Sequence, residues 1–237
     1  EFIGRMEKGE KLPQFTSCCP AWIKFAEQYY PKYVGNLSSC RSPQQMFGSL
    51  CKATMTEEGM DRDDIVVVSI MPCTAKKYEA TRPEFAVGDN ADVDYVLTTQ
   101  ELVRMIEEAG LGFNDLEPES FDMPFGFKTG AGVIFGSSGG VSEAVLRYAT
   151  EKLTGARSEQ YEFKMVRGEE GLREATVEIG DTWVSLAVVH GLSNARKLIE
   201  RIDAGEAHYD LIEVMACPGG CVGGAGQPVS TDRDARQ

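Results

Sequence analysis

Seven cysteines in a chain of 237 residues carry most of the reactive chemistry, and they are clumped rather than spread. Cys18-Cys19, Cys73 and the pair Cys217 and Cys221 stand in loops punctuated by Gly and Pro. Cys40 and Cys51 stand in or beside helical patterns, where a single cysteine reads as a small buried hydrophobe. A secreted disulfide framework is usually shorter and evenly paired. Thiolates drawn from separate loops suit a metal or an iron–sulfur cluster, and the three loops supply four: Cys19, Cys73, Cys217 and Cys221. Two rival chemistries use the same residues. Structural zinc prefers two close pairs, which Cys19 and Cys73 do not form. A redox disulfide between adjacent Cys18 and Cys19 is strained, and the usual motif is C-x-x-C. Read singly, Met71 and Met215 are core filler, Lys76 a solvated lysine and the run 219–226 a flexible turn.

The elements around these loops share one construction. A β-branched run at 65–70 leads into Met71-Pro72-Cys73, and Leu211-Ile212-Glu213-Val214-Met215 leads into Ala216-Cys217-Pro218-Gly219-Gly220-Cys221. Such runs predict strands buried on both faces, as in parallel sheets. Ligands of open α/β sheets bind beyond the carboxyl ends of strands. Gly219, Gly220, Gly223 and Gly224 would offer N–H groups to cluster sulfurs with no Cβ in the way. Pro20 predicts the start of a helix bearing Trp22, Phe25, Ala26 and Tyr29, and Ser42 the N-cap of a second with Met46, Phe47 and Leu50 inward. A short strand at 94–97 precedes a helix capped by Thr99 and ended by Gly110. A buried strand is expected at 132–136, a helix at 141–152 and strands at 161–166, 175–179 and 183–189. Ser193-Asn194 would cap a last helix with Ala195, Leu198, Ile199 and Ile202 inward. His190 reads as a core-edge residue and His208 as a surface one. The class is α/β, with approximate lobes 1–120 and 121–237 and a seam at 112–128.

Composition narrows the partners. With 24 Lys+Arg against 37 Asp+Glu the net charge is −13, which argues against nucleic acid and anionic membrane. No apolar run approaches the ~18–20 residues that span a bilayer. The chain opens at Glu1-Phe2-Ile3 without an initiator Met or signal peptide, so it reads as a fragment.

Three motifs in order resemble the signatures of iron-only, or [FeFe], hydrogenases. They are Thr16-Ser17-Cys18-Cys19-Pro20-Ala21-Trp22, Met71-Pro72-Cys73-Thr74-Ala75-Lys76-Lys77-Tyr78-Glu79 and Glu213-Val214-Met215-Ala216-Cys217-Pro218-Gly219-Gly220-Cys221. Ser38-Ser39-Cys40-Arg41-Ser42-Pro43-Gln44-Gln45, Gly130-Ala131-Gly132-Val133-Ile134-Phe135-Gly136 and Val166-Arg167-Gly168 agree with it. The resemblance implies a two-lobed catalytic-domain fold, each lobe a mostly parallel sheet flanked by helices, with an H-cluster between the lobes. That group is a [4Fe–4S] cubane joined through one thiolate to a two-iron subsite bearing CO, cyanide and a bridging dithiolate amine. It implies Cys19, Cys73, Cys217 and Cys221 as cubane ligands, Cys221 being the shared one, and reversible reduction of protons to dihydrogen. By the same resemblance Cys18 passes protons to the bridging amine, Lys76 donates to a cyanide, and Ser38 and Glu1 lie on the outer proton path. Met71, Pro72, Met215, Ala216, Ser42, Pro43 and Gln44 would line the cofactor pocket. Ferredoxin or flavodoxin, or accessory iron–sulfur domains, are the implied electron partners, maturation proteins the implied suppliers of the cofactor, and a cytoplasmic anaerobic setting the implied location. Lys24, Lys32 and Arg41 are candidates for a basic docking patch.

The chain departs from the family pattern at Ala225, where glycine is usual, and at Ser138 and Ser142, where Thr and Met are usual. An alanine at 225 is strained only if its φ is positive. The N-terminal part of the catalytic domain, any ferredoxin-like domains and the C-terminal tail are expected outside this sequence. Within the same resemblance, a sensory hydrogenase or the eukaryotic iron–sulfur assembly factor would bind clusters with little turnover. Intact Cys18 speaks against the first, and intact Thr16-Ser17-Cys18-Cys19-Pro20 with Lys76 against the second.

Overall fold

The computed structural model describes residues 1–127, 129–155, 164–165 and 170–228. In chain order the first elements are α1 (Phe2–Lys8), β1 (Gln14–Phe15), α2 (Pro20–Tyr29), α3 (Pro43–Glu57), β2 (Val68–Met71) and α4 (Ala75–Ala80). Then come β3 (Ala86–Val87), β4 (Asn90–Ala91), β5 (Tyr95–Thr98), α5 (Thr99–Glu108), α6 (Gly130–Ile134) and α7 (Gly140–Thr154). The last are β6 (Lys164–Met165), β7 (Leu172–Ile179), β8 (Thr182–His190), α8 (Leu192–Asp203) and β9 (Leu211–Met215). Among the described residues no helix is long and apolar enough to cross a membrane.

The chain forms two compact units, each assembled from separated stretches. The first joins Glu1–Arg41 to Ile134–Cys221. Its sheet has the order β1-β9-β8-β7-β6. β9 pairs in parallel with β1 on one side and β8 on the other, while β8–β7 and β7–β6 are antiparallel. The sheet is therefore mixed, because a tight turn at Gly180 (φ 61°) returns β7 directly into β8. All five residues of β9 are buried, as a strand paired on both edges and covered on both faces requires. Phe15, Trp22, Ala187, Val189, Leu198, Ile199, Ile212 and Val214 pack on one face, under α2 and α8. Phe2, Leu146, Ala149, Val184, Leu186 and Leu211 pack on the other, under α1 and α7. The period-2 split of Leu186 from Ala187 and of Leu211 from Ile212 shows one strand serving two cores.

The second unit joins Ser42–Val133 to the chain after Cys221. β2 and β5 pair in parallel, with Val68 opposite Tyr95 and Met71 opposite Thr98, and β3 and β4 form an antiparallel pair. A capping box starts α5, Thr98 and Glu101 each accepting the other's backbone N–H. The cap is one residue earlier than Thr99. Gly110 (φ 67°) follows the helix as expected.

Several expectations need correction. The chain does not part at a single point near 120, because β1 pairs with β9 and so belongs to the C-terminal sheet. The run at 65–70 is not a strand buried on both faces: it narrows to Val68–Met71 with a single partner, leaving Val66, Val68 and Ile70 exposed. On α3 the inward face is Gln44, Gln45, Gly48 and Lys52, and Met46, Phe47 and Leu50 are exposed. Polar anchors override the apolar stripe here: Lys52 Nζ donates to Asn90, Ala91 and Asp94, and Gly48 lies where a Cβ would stand 2.4 Å from the Asp92 carbonyl. Residues 132–136 do not form a buried strand. α6 occupies Gly130–Ile134, its first turn capped by Thr129 Oγ1 accepting Gly132 N–H, and Val133 is exposed. α8 is preceded by Gly191 rather than capped by Ser193, while Asn194 donates to the His190 and Glu170 carbonyls. Of the strand at 161–166, Lys164–Met165 is present as β6; the rest, with Val166-Arg167-Gly168, lies outside the described residues.

Candidate cluster site

In the first unit the loop after β1 meets the loop after β9. Thr16 N–H donates to the Ile212 carbonyl, and Thr16 Oγ1 accepts the N–H of Val214 at 3.3 Å. Cys19 follows as the N-cap of α2, with Pro20 at the first helical position. Its buried Sγ accepts the Ala216 backbone N–H at 3.4 Å. Cys18, Cys221 and Ala216 are half-buried against the same apolar cluster as Cys19 and Met215. Cys217 is likewise half-buried. Gly219 and Gly220 take φ of 75° and 97° between the two ligand candidates, and Gly220 N–H donates to the Cys217 carbonyl. A Cβ on Gly220 would stand 2.6 Å from the Ser138 nitrogen, so the loop is pressed against residues 136–138. Ala225 does not take a positive φ, which removes the strain that alanine would bring there; among the described non-glycine residues Lys11 does.

α1 and the loop at 36–40 meet beside Ser17, the chain neighbour of Cys18. Ser38 N–H donates to the Phe15 carbonyl, and Ser17 Oγ donates to the Cys40 carbonyl at 2.6 Å. Glu1 Oε2 accepts from Ser38 Oγ at 2.5 Å, and its carboxylate also takes Ser39 N–H and Arg5 Nη2. Burial raises the Glu1 pKa, but the bonds from Ser38, Ser39 and Arg5 prevail and bring it to about 2. Arg5 further donates to the carbonyls of Asn36 and Leu37. Cys40 is exposed, not a buried hydrophobe: its Sγ donates to Glu1 at 3.4 Å. Cys51 is half-buried on α3 with Sγ 3.9 Å from Met55 Sδ, and burial pushes its thiol pKa up.

The second cysteine loop belongs to the second unit. Met71 ends β2 and Pro72 and Cys73 follow it, all three half-buried. Gly226 packs on this peptide: its N–H donates to the Pro72 carbonyl, and a Cβ there would stand 2.8 Å from the Cys73 nitrogen. Lys76 is not solvated. Its Nζ, buried on α4, lies 3.0 Å from Glu79 Oε2. Glu79 also accepts from Ser42 Oγ at 2.8 Å and Gln44 Nε2 at 3.3 Å, and Gln44 Oε1 takes Ser69 Oγ. Ser42 at the same time caps α3, with Pro43 at its first position.

Three residues without an expected role thus organise the candidates: Arg5, Glu79 and Glu213. Arg5 and Glu79 stand one helical turn from Glu1 and Lys76, a spacing that signals ion pairing. Glu213 is fully buried within β9, and that burial raises its pKa against two backbone N–H bonds. Of the proposed docking cations, Lys32 is held by Asp203 at 2.6 Å. His190 ends β8, its pKa lowered by burial and by Arg173; His208 is exposed.

None of the seven cysteines is in a disulfide, and among the described residues no three His, Cys, Asp or Glu side chains stand at metal-holding distance. The donor chemistry nevertheless fits an iron–sulfur group in the first unit. Cysteine thiols stand in the loops after β1 and β9, and a backbone N–H is aimed at the Cys19 sulfur, the contact that stabilises cluster thiolates.

Comparison with known proteins agrees. The chain is 48% identical over 235 residues to the NADP-reducing hydrogenase subunit HndD of Solidesulfovibrio fructosivorans, covering 96% of this chain and 40% of that protein. It is 48% identical over 232 residues to the periplasmic [Fe] hydrogenase large subunit of Nitratidesulfovibrio vulgaris, 97% of this chain and 55% of that one. It is also 37% identical to the cytosolic iron-sulfur assembly component 3 of Pongo abelii, 100% of this chain against 51%. The chain spans about half the length, or less, of these relatives. The apo [FeFe]-hydrogenase HydA1 of Chlamydomonas reinhardtii superposes with a TM-score of 0.87 at 38% identity, 99% of this chain and 67% of that one. Residues 1–225 match the family described as iron only hydrogenase large subunit, C-terminal domain, and the chain belongs to that family.

Proposed function

We propose that the chain is the H-cluster domain of an [FeFe] hydrogenase, reducing protons reversibly to dihydrogen with a ferredoxin, flavodoxin or accessory iron–sulfur domain as electron partner. The observation that carries this reading is the Cys18-Cys19 pair, where Cys19 Sγ accepts the Ala216 N–H while Cys18 remains half-buried beside it. In this reading Cys19 serves as ligand and its neighbour Cys18 carries the proton chemistry.

On the same reading Cys19, Cys73, Cys217 and Cys221 would hold the iron–sulfur part of the cofactor, and Cys221 would also serve its two-iron subsite. When bound, that subsite supplies the metal centre at which protons and electrons combine. Cys18 Sγ holds and passes a proton, which a thiol does near neutral pH. Ser38 Oγ, donating to Glu1, marks the outer end of the proton route. The buried Lys76 would donate to anionic ligands of the bound group, with Glu79 Oε2 3.0 Å away holding its orientation. By the family resemblance Met71, Pro72, Met215, Ala216, Ser42, Pro43 and Gln44 would line the cofactor and exclude water.

The second reading, an iron–sulfur assembly factor, is favoured by the likeness to the Pongo abelii protein. Infrared spectroscopy separates the two, after anaerobic supply of iron, sulfide and a synthetic two-iron precursor. Sharp CO and cyanide bands shifted from the free precursor are expected. Iron and sulfide uptake without shifted bands would place the chain with the assembly factor, and no uptake would overturn both readings.

A further inference from the structure

We infer that Glu213 is a positioning residue for the Cys217–Cys221 loop, acting through residues 137–142; the role of that loop rests on the reading above. The carboxylate is fully buried in β9, four positions before Cys217, and its two oxygens face the start of α7. Oε1 accepts Gly139 N–H at 2.6 Å and Oε2 accepts Ser142 N–H at 2.8 Å. These bonds fix the turn at residues 137–140, where Gly139 has φ 98° and Gly140 N–H closes on the Ser137 carbonyl. From the other side the Arg173 guanidinium donates to the Ser138 carbonyl. Held by both anchors, Ser138 presents its N–H to the Gly219 carbonyl at 3.0 Å. Gly220 then lies so close that no Cβ fits against the Ser138 nitrogen or the Gly136 carbonyl.

The path from Glu213 to the loop is thus Glu213, Gly139, Ser138, Gly219: a buried carboxylate-to-backbone bond, a peptide link and a backbone hydrogen bond. A carboxylate suits the task because it is acceptor-only and can take two N–H groups at once. Glutamine keeps the shape but turns an NH2 toward one of the two donors, leaving that donor buried and unpaired.

Amide hydrogen exchange on the metal-free chain tests this, comparing Glu213→Gln and Arg173→Met with the unaltered protein. Both variants should accelerate exchange at Ser138 and Gly220 by about tenfold or more, the scale of losing one buried hydrogen-bond partner. Exchange at Val184 and Leu186 in β8 should stay unchanged. Acceleration confined to Gly139 and Ser142 would reduce Glu213 to a helix cap and overturn the inference, as would Gly220 remaining slow in both variants. If Glu213→Gln fails to fold, Glu213→Asp, whose shorter side chain cannot keep both bonds, is measured in its place, with a smaller acceleration at Ser138 and Gly220 expected and none overturning the inference. Because no cluster is needed, a failure of the hydrogenase reading shows separately, as absence of iron uptake by the unaltered chain. Where the cubane does load, Glu213→Gln should release it to a chelator several-fold faster, and Glu213→Asp should restore part of the difference.

Discussion

At Glu1 two opposing effects can be weighed. Burial favours the neutral acid, while bonds from Ser38, Ser39 and Arg5 favour the anion, and the anion wins: the pKa falls from 4.5 to about 2. A lowered folded-state pKa means that the tether between α1 and residues 38–40 is complete above pH ~4.5 and lost as pH falls through about 2. An NMR titration of the Ser39 amide should follow that low midpoint; one near 4.5 would show that the carboxylate is not held. Lys76 and Glu79 are an opposite case, a pair with side chains only 3% and 4% exposed. Glu79→Leu strands a buried ammonium and should cost roughly 3–5 kcal/mol in denaturant unfolding, part of it recovered when Lys76→Met is added. If Glu79→Leu alone is neutral, the pair is not buried in solution. For the proton route, Cys18→Ala should keep the infrared bands of the loaded protein while hydrogen evolution falls roughly 100-fold or more. Full activity in that variant would remove Cys18 from the path. The ligand candidates were legible because cysteine clumping and motif order are properties of sequence. Glu79 and Glu213 were not, since a carboxylate in a run of residues does not announce that it will be buried.

The helices and strands were legible where apolar periodicity alone decides. β8, β9, α2 and α8 form where the pattern puts them, because each packs an apolar face on the first unit's core. α3 defeated the same reasoning: bonds from buried Gln44 and Lys52, and the close approach at Gly48, set its orientation, and only the folded chain supplies them. Residues 130–134 did so too, becoming a helix because Thr129 caps them. Gly226 offers a test at this scale. Its missing Cβ lets the turn after Cys221 lie on the Pro72–Cys73 peptide, with Thr98 of the α5 cap only 3.0 Å from where that carbon would be. Gly226→Ala must displace either the cysteine loop or the cap, and should destabilise by roughly 1–3 kcal/mol. A crystal structure of the variant with both segments unmoved would refute this.

For the molecule as a whole, seven reduced cysteines mean that no covalent cross-link restrains the unfolded chain. Stability is then open to mass action by whatever binds the folded state alone. Loading iron and sulfide should raise the melting temperature, and Cys217→Ser should remove most of that rise while leaving the metal-free melting temperature nearly unchanged. An equal rise in the variant would mean that iron binds elsewhere.

The pairing of β1 with β9 sets a timetable for synthesis. Cys19 and the Ala216 N–H that it accepts are 197 positions apart. At ~5–20 residues per second the ribosome needs on the order of ten to forty seconds to travel between them. Through that interval Phe15 and Trp22 have no sheet to pack on, and the first cysteine loop has no counterpart. The sheet of the first unit and the neighbourhood of Cys19 come into being together, once β9 has been made, so a nascent chain has no preformed half-site to fill earlier.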